Sequence, residues 1–516
     1  MRVIQTVAGL RCWRMGQTGS LGLVPTQGVL HQGHLSLIRR ARRDNDLVVV
    51  SIFLNPLQAG LQESYTACPR PLEEELQRCR AAGVDCVFAP AAEDFYGPGY
   101  GQPGQLTVVS PPASLIQGLC GRFLDGYFTG VATAIAKLLT IVLPQRAYLG
   151  QKDAQQLTVV RRVAQDLNLP GIVIGCPTVR DRNGLALSSR NRYLTAQERQ
   201  QAAILYRGLN TAKEQFKTGE RSQLSLVGSV LDCLEAAPAV SPQYVELVNP
   251  YTLDPLDTIE TVGMLAVAAF VGTTRLIDNV VLRARRPIVA IDGPAGAGKS
   301  TVARQLAHRL GLLYLDTGAM YRAVTWYVLS QGVDPQDEVG VAELLPRCDI
   351  RLVATPSEGE VKPPQVWVND TQVTQAIREP RVTAQVSAIA AQADVRRTLV
   401  QQQMSYGATG GVVADGRDIG THVFPDAELK VFLTASVEER ARRRQRDLAE
   451  QRQAVPPLEE LAQAISSRDR KDSTREIAPL RQADDAIELV TDSLSIDEVL
   501  DKLLSLYQER VVAQAE

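Results

Sequence analysis

The chain has 516 residues, 45% of them hydrophobic and 22% charged, with a formal net charge of −2. That length exceeds what one hydrophobic core fills and implies roughly two to four domains of ordinary soluble composition. So even a charge balance excludes a global attraction to nucleic acid or anionic membrane, and the most apolar stretch, 262–272, is too short to span a bilayer. The amino-terminal residues show no apolar core of leader length. The eight cysteines form no C-x-x-C pair. Reduced thiols and a cytoplasmic location are therefore expected.

In chain order, apolar strand-like runs at Leu21–Val24, Leu47–Phe53, Val84–Phe88 and Ile172–Ile174 alternate with helical patterns. The helical stretches are His34–Arg43, Pro71–Ala82, Val131–Val142 and Asp153–Asp166. Such alternation predicts a doubly wound α/β domain over 1–176. A smaller subdomain, 177–282, carries a helix at Ala196–Thr218, and Arg283–Arg286 before Pro287 reads as a linker. Strand, loop and helix recur over 287–516, beginning with Ile288–Ile291 and Val302–Leu310 and continuing with short strands at Val412–Ala414 and Leu429–Leu433.

Residues 25–34, PTQGVLHQGH, directly follow the strand Leu21–Val24. His31 and His34, two of only four histidines, stand at i and i+3 where a helix begins. Both rings then share one face, beside the positive end of the helix. The residues alone allow a phosphate-binding pair, or a turn histidine beside a capping one. Zinc is less favoured, because no H-E-x-x-H and no third ligand accompany them. Asn55 and Gln58, then Gly150–Gln156, also follow strands, where open α/β sheets bind ligands. Lys152, Ser188, Ser189 and Arg190 form a donor set suited to a departing pyrophosphate.

With the stretches 184–194 and 275–279, these segments make residues 1–282 resemble the pantothenate synthetase (pantoate–β-alanine ligase) family of HxGH nucleotidyl transferases. The resemblance implies a Rossmann-like domain with a small carboxyl-terminal subdomain, a pantoyl adenylate intermediate and a homodimer. It implies an ATP site of Gln27, Gly28, Val29, Leu30, His31, Gln32, Gly33 and His34. Gly150, Gln151, Lys152, Asp153, Val179, Leu187, Ser188, Ser189 and Arg190 complete that site. His34 would be the proton donor, with His31, Lys152 and Arg190 stabilising charge. Asn55, Gln58 and Gln156 would hold pantoate and β-alanine. The chain departs from the family at Gln27 (usually Met), Ala59 (Phe) and Gln151 (Glu). It departs again at Leu124–Phe128, where the family has R-P-G-H-F, and Arg122 is the nearest replacement for the lost arginine. A degenerate nucleotide-binding or oligomerising module is the competing expectation.

Residues 293–301, GPAGAGKST, match the phosphate-loop pattern between an apolar run and a helical stretch. Lys299 would reach the terminal phosphates and Ser300 would face Mg²⁺. That motif alone means only nucleotide binding, but the chain lacks the N-K-x-D of a GTPase. Asp316–Arg322, Asp415–Gly420 and Arg468–Arg475 supply a second set of charged side chains.

With these, 287–510 resembles bacterial cytidylate kinase, including the insertion between Val366 and Val395. The resemblance implies a P-loop nucleoside monophosphate kinase whose ATP is held by Gly293, Pro294, Ala295, Gly296, Ala297, Gly298, Lys299, Ser300 and Thr301. CMP would meet Thr317 and Tyr321, with Arg322 and Arg417 gripping its phosphate. Ser387, Arg396 and Asp418 would read its base, Arg468 and Asp472 would hold its sugar side, and Arg475 would add positive charge nearby. The arginines between 440 and 446 are either a solvated helix face or part of a lid. His308 and His422 receive no role. The expectation is a bifunctional α/β enzyme in two tandem units. It would use ATP and Mg²⁺ on pantoate, β-alanine, CMP and dCMP, with no nucleic-acid or membrane partner.

Overall fold

The computed structural model describes residues 1–58, 72–97, 100, 105–353, 363–450, 455–475 and 478–512. Ala59, Cys68 and Pro71 lie outside them. The chain divides into two compact units, Met1–Ala284 and Arg285–Glu516.

The first unit is built on six parallel strands: β1 (Arg2–Ile4), β2 (Leu21–Thr26), β3 (Leu47–Ile52), β4 (Cys86–Phe88), β5 (Arg146–Gly150) and β6 (Ile172–Cys176). Their order is β1-β4-β3-β2-β5-β6. Alternate residues feed opposite cores: Leu21, Leu23 and Val49 enter one, while Val24, Val48 and Val50 enter the other. Burial of both faces is why these strands read as unbroken apolar runs. From β2 the chain builds β3 and β4 on one side, then returns to place β5 and β6 on the other. The carboxyl ends of β2 and β5 therefore border the switch point, where open sheets take ligands.

The rest of this unit is an antiparallel sheet of β7 (Val240–Val248), β8 (Val262–Val271) and β9 (Thr274–Arg283), sharing a core with helices Ile204–Lys217 and Gln223–Glu235. The single helix expected at Ala196–Thr218 is two, Ala196–Ala202 and Ile204–Lys217, with a tightened backbone at Ala203 (φ −61°, ψ −14°). Residues 283–286 are also not a free linker. β9 ends at Arg283 and the next strand opens at Arg286, leaving Ala284 and Arg285 between them. Arg285 is held by ion pairs to Asp426 and Glu428.

The second unit centres on β10 (Arg286–Asp292), with β11 (Leu313–Asp316), a small antiparallel sheet of β12 (Ile350–Val353), β13 (Gln365–Val368) and β14 (Thr371–Gln372), then β15 (Gly410–Gly416), β16 (Leu429–Thr434) and β17 (Ile487–Val490). The main sheet is parallel in the order β11-β15-β10-β16-β17. Again both faces are buried: Ile288, Ala290 and Val412 lie in one core, Val289, Ile291 and Val413 in the other. The insertion supplies most of β13, β14 and the helix Pro380–Ala391, and ends at the start of helix Ala393–Tyr406.

Candidate active sites

β2 ends in a strained turn. Gly28 (φ 83°) and Val29 (φ 53°) both adopt left-handed backbone, which a β-branched residue normally avoids. The turn is fastened from outside, for Leu30 N–H donates to Glu75 Oε2 at 2.8 Å and Arg78 donates to the Leu30 carbonyl. It delivers His31 as the N-cap of helix Gln32–Asp44. His31 Nδ1 accepts from Gly33 N–H at 3.1 Å, and His34 Nδ1 accepts from His31 N–H at 3.4 Å. With both Nδ1 atoms accepting, each neutral ring carries its proton on Nε2. The ring centroids are 4.1 Å apart. The capping role expected for one of the pair thus falls to His31, with the His34 ring beside it.

A cavity of about 270 Å³ opens at this switch point, lined by Gln27, Gly28, His31, Gly33 and His34 from β2 and its turn. Burial away from water lowers the His34 imidazole to about 3, with smaller contributions from His31 and Lys152. Gly150, Lys152, Asp153 and Gln156 line it from the end of β5. Leu187 N–H donates to the Val179 carbonyl at 2.9 Å, so Val179 and Leu187–Arg190 arrive together on one loop and also line the cavity. Four residues expected at the nucleotide do not line it. Past the left-handed turn Leu30 is buried in the core, and Val29, Gln32 and Gln151 likewise lie off the cavity wall.

Asn55 and Gln58 line the cavity too, and three hydrogen bonds fix Asn55 in place. Its Nδ2 donates to the Gly130 carbonyl at 2.9 Å, and its Oδ1 accepts from Tyr96 Oη and Leu57 N–H. It shapes the wall. Gln27 Nε2 donates to Gln58 Oε1, and Tyr127 Oη donates to Gln156 Oε1 at 3.3 Å. Gln27 and Tyr127, two of the departures, thus orient the two glutamines. Arg122 does not replace the missing arginine, because it pairs with Glu246 at 3.1 Å and is absent from the cavity lining. Arg275 on β9, which opens the segment 275–279 of the family resemblance but receives no role from it, does line the cavity.

In the second unit the phosphate loop joins β10 to helix Lys299–Leu310. Gly293 (φ 147°) has no room for a side chain, since a Cβ there would stand 1.9 Å from the Leu433 carbonyl oxygen. Lys299 is buried, and its Nζ donates to the Pro294 carbonyl at 2.7 Å; burial and then Arg417 hold it well below the usual lysine range. Ser300 Oγ donates to Asp415 Oδ2 at 2.6 Å, and Tyr314 Oη donates to Oδ1 at 3.0 Å. Burial and then Asp316 raise the Asp415 carboxyl to about 6. Asp415 is the penultimate residue of β15, the strand beside β10, so pairing across the sheet brings it to Ser300; the linear sequence gave no sign of this.

Asp418 forms ion pairs with buried Arg396 and with Arg475, the latter at 3.7 Å. The Arg396 guanidinium stands 5.4 Å from the Tyr321 ring centroid. Arg417 pairs with Asp472 at 3.0 Å, and Thr317 Oγ1 donates to the Asp415 carbonyl. Arg468 is held below its usual range by burial, then by Arg417, with Arg322 also contributing, so these three form a cationic cluster. Ser387 is exposed on helix Pro380–Ala391 and makes no hydrogen bond to Arg396 or Asp418. Asp292 accepts from Ile419 N–H and Gly420 N–H at 2.8 and 2.7 Å, tying the strand before the phosphate loop to the residues just after Asp418. The arginine run on helix Val437–Glu450 is not wholly solvated. Arg440 is buried and donates to the Ala295 carbonyl, and Arg443 donates to that of Ala297, whereas Arg442, Arg444 and Arg446 are exposed.

Residues 2–281 match the family described as pantoate–β-alanine ligase, and residues 289–509 match the family described as cytidylate kinase. A Nostoc protein described as a bifunctional pantoate ligase/cytidylate kinase is 56% identical, over 99% of this chain and 99% of its own. A Synechococcus elongatus protein of the same description is 55% identical, over 99% and 96%. The crystal structure of pantothenate synthetase from Thermus thermophilus matches with a TM-score of 0.51 and 43% identity, covering 54% of this chain and 99% of that one. Similar along nearly its whole length to proteins that carry both domains, the chain belongs to the bifunctional pantoate ligase/cytidylate kinase family.

Proposed function

We propose that the first unit condenses pantoate with β-alanine through pantoyl adenylate, and that the second transfers the γ-phosphoryl of ATP to CMP or dCMP. The observation that carries this reading is the coexistence of two complete donor sets, one at each sheet's carboxyl edge, in a chain whose relatives are described as doing both. A non-catalytic first unit is disfavoured by His31, His34, Lys152 and Arg190 all lining one cavity.

In the first unit, a pantoate carboxylate oxygen attacks the α-phosphorus and pyrophosphate leaves. The β-alanine amine then attacks the acyl carbon, loses a proton and expels AMP. The first step spreads negative charge over phosphate oxygens, so fixed donors are what the protein must supply. Lys152, Ser188, Ser189 and Arg190 provide them. His34, lowered to about 3, is neutral at pH 7 and serves as a hydrogen-bond donor through Nε2 rather than as an acid that gives up its proton. Gln58 and Gln156 position pantoate.

In the second unit the CMP phosphate is already ionised, so catalysis is in-line positioning plus neutralisation. Arg322, Arg417 and Arg468 receive that phosphate. Asp418 accepts from the exocyclic amine of cytosine, which uracil lacks, and Arg396 fixes the carboxylate that does so. Ser300 and Asp415 suit Mg²⁺, for a hydroxyl and a desolvated carboxylate meet at 2.6 Å beside the phosphate loop. The ion would neutralise charge on the ATP phosphates. Two assays on the full chain test the proposal: pantoate-dependent ATP–pyrophosphate exchange and CMP-dependent ADP release. Loss of either activity from well-folded protein removes the corresponding half.

A further inference from the structure

The cavity of the first unit contains one guanidinium that neither the nucleotide nor pantoate needs. Arg275, Ile277 and Asn279, alternate residues of β9, all line it. Arg275 is fixed from two sides by uncharged acceptors: its Nε donates to Gln243 Oε1 at 2.8 Å, and its Nη2 donates to Cys120 Sγ at 3.3 Å. Arg122, Arg180 and Lys152 of this unit have carboxylate partners in Glu246, Asp278 and Asp153. Among the described residues Arg275 has none. A rigid fork without a counter-charge in a cavity wall suits a planar anion.

Resting on the ligase reading of this unit, we propose that Arg275 binds the carboxylate of β-alanine and thereby selects it over amines that lack an acid group. Three anions enter this cavity. The triphosphate faces Lys152, Ser188, Ser189 and Arg190. Asn279, whose Nδ2 donates to the Gln151 and Lys152 carbonyls at 3.0 Å, lies four residues beyond Arg275, about 13 Å along an extended strand. The pantoate carboxylate is the nucleophile, and a fork closed on both its oxygens would withhold the lone pair that must attack phosphorus. The β-alanine carboxylate takes no part in bond making, so it can stay paired with Arg275 through both steps. Arg190 Nη1 donates to the Arg275 carbonyl at 3.0 Å, so this subsite borders the Arg190 end of the donor set and lies away from its Lys152 end.

The test compares the full-length protein with Arg275→Met and Arg275→Lys, measuring pantoate-dependent ATP–pyrophosphate exchange without an amine and then product formation with β-alanine or β-alaninamide. Exchange in Arg275→Met is expected within about threefold of wild type, which also reports folding. Its KM for β-alanine should rise about 10- to 100-fold, the loss expected for one charge-assisted hydrogen-bond pair. Its preference for β-alanine over β-alaninamide should collapse, and Arg275→Lys should recover part of both. A parallel fall in exchange and synthesis, or an unchanged preference for β-alanine, overturns the assignment. Absence of exchange in the wild-type protein would instead remove the ligase reading, and this proposal with it.

Discussion

His34 adds to the acid sensitivity of the first unit. Its imidazole lies at about 3 in the folded protein against an ordinary 6.5. Between those values the unfolded chain binds a proton that the folded chain refuses, so stability falls as pH drops from 6.5 toward 3; above 6.5 the residue contributes nothing to the slope. In His34→Gln the fall in urea midpoint from pH 7 to pH 4.5 should be smaller than in the wild type. An identical slope would mean that the ring titrates normally. In the second unit, Asp418→Asn turns an acceptor partly into a donor facing the cytosine amine. The ratio of kcat/KM for CMP over UMP should fall about 10- to 100-fold, as for a charged hydrogen bond lost. A ratio that does not move would place base selection elsewhere.

The elements that carry the sites are loops held by the strands beside them. Gly293→Ala would drive a Cβ to 1.9 Å from the Leu433 carbonyl, so β10 and β16 must part or the phosphate loop must shift. CMP kinase activity should be lost, with a fall in the unfolding temperature of the second unit and unchanged pyrophosphate exchange by the first. Activity near wild type would show that the loop can relax. Much of this architecture was legible in the chain, because strands buried on both faces leave continuous apolar runs such as 47–53 and because glycine-rich turns announce themselves. Short β1, and β5 with its buried Arg146, left no such run. Asp292 was missed, and the individual roles of Asp415 and Arg275 stayed hidden within the segments 415–420 and 275–279, for a different reason. Each gains its role from a partner more than 100 residues away, Ile419, Ser300 and Cys120 respectively, and sheet order rather than local spacing sets those meetings. Arg122 illustrates the converse. Proximity in sequence suggested it as a replacement arginine, yet Glu246 holds it off the cavity.

Across the whole molecule, every residue lining the ligase cavity belongs to Met1–Ala284, and every phosphate-loop contact described above belongs to Arg285–Glu516. The two reactions share ATP but no intermediate, so the chemistry gives no reason for channelling. Lys299→Ala should therefore abolish CMP phosphorylation and leave pantoate-dependent exchange within about twofold, and loss of both would reveal coupling. The central claim is that one polypeptide carries two separate ATP sites. Titration of the full-length protein with a non-hydrolysable ATP analogue, followed by calorimetry, tests it most directly. Two molecules bound per chain are expected at saturation, falling to one when Lys299→Ala empties the second unit; saturation of the intact protein at a single nucleotide would contradict the account.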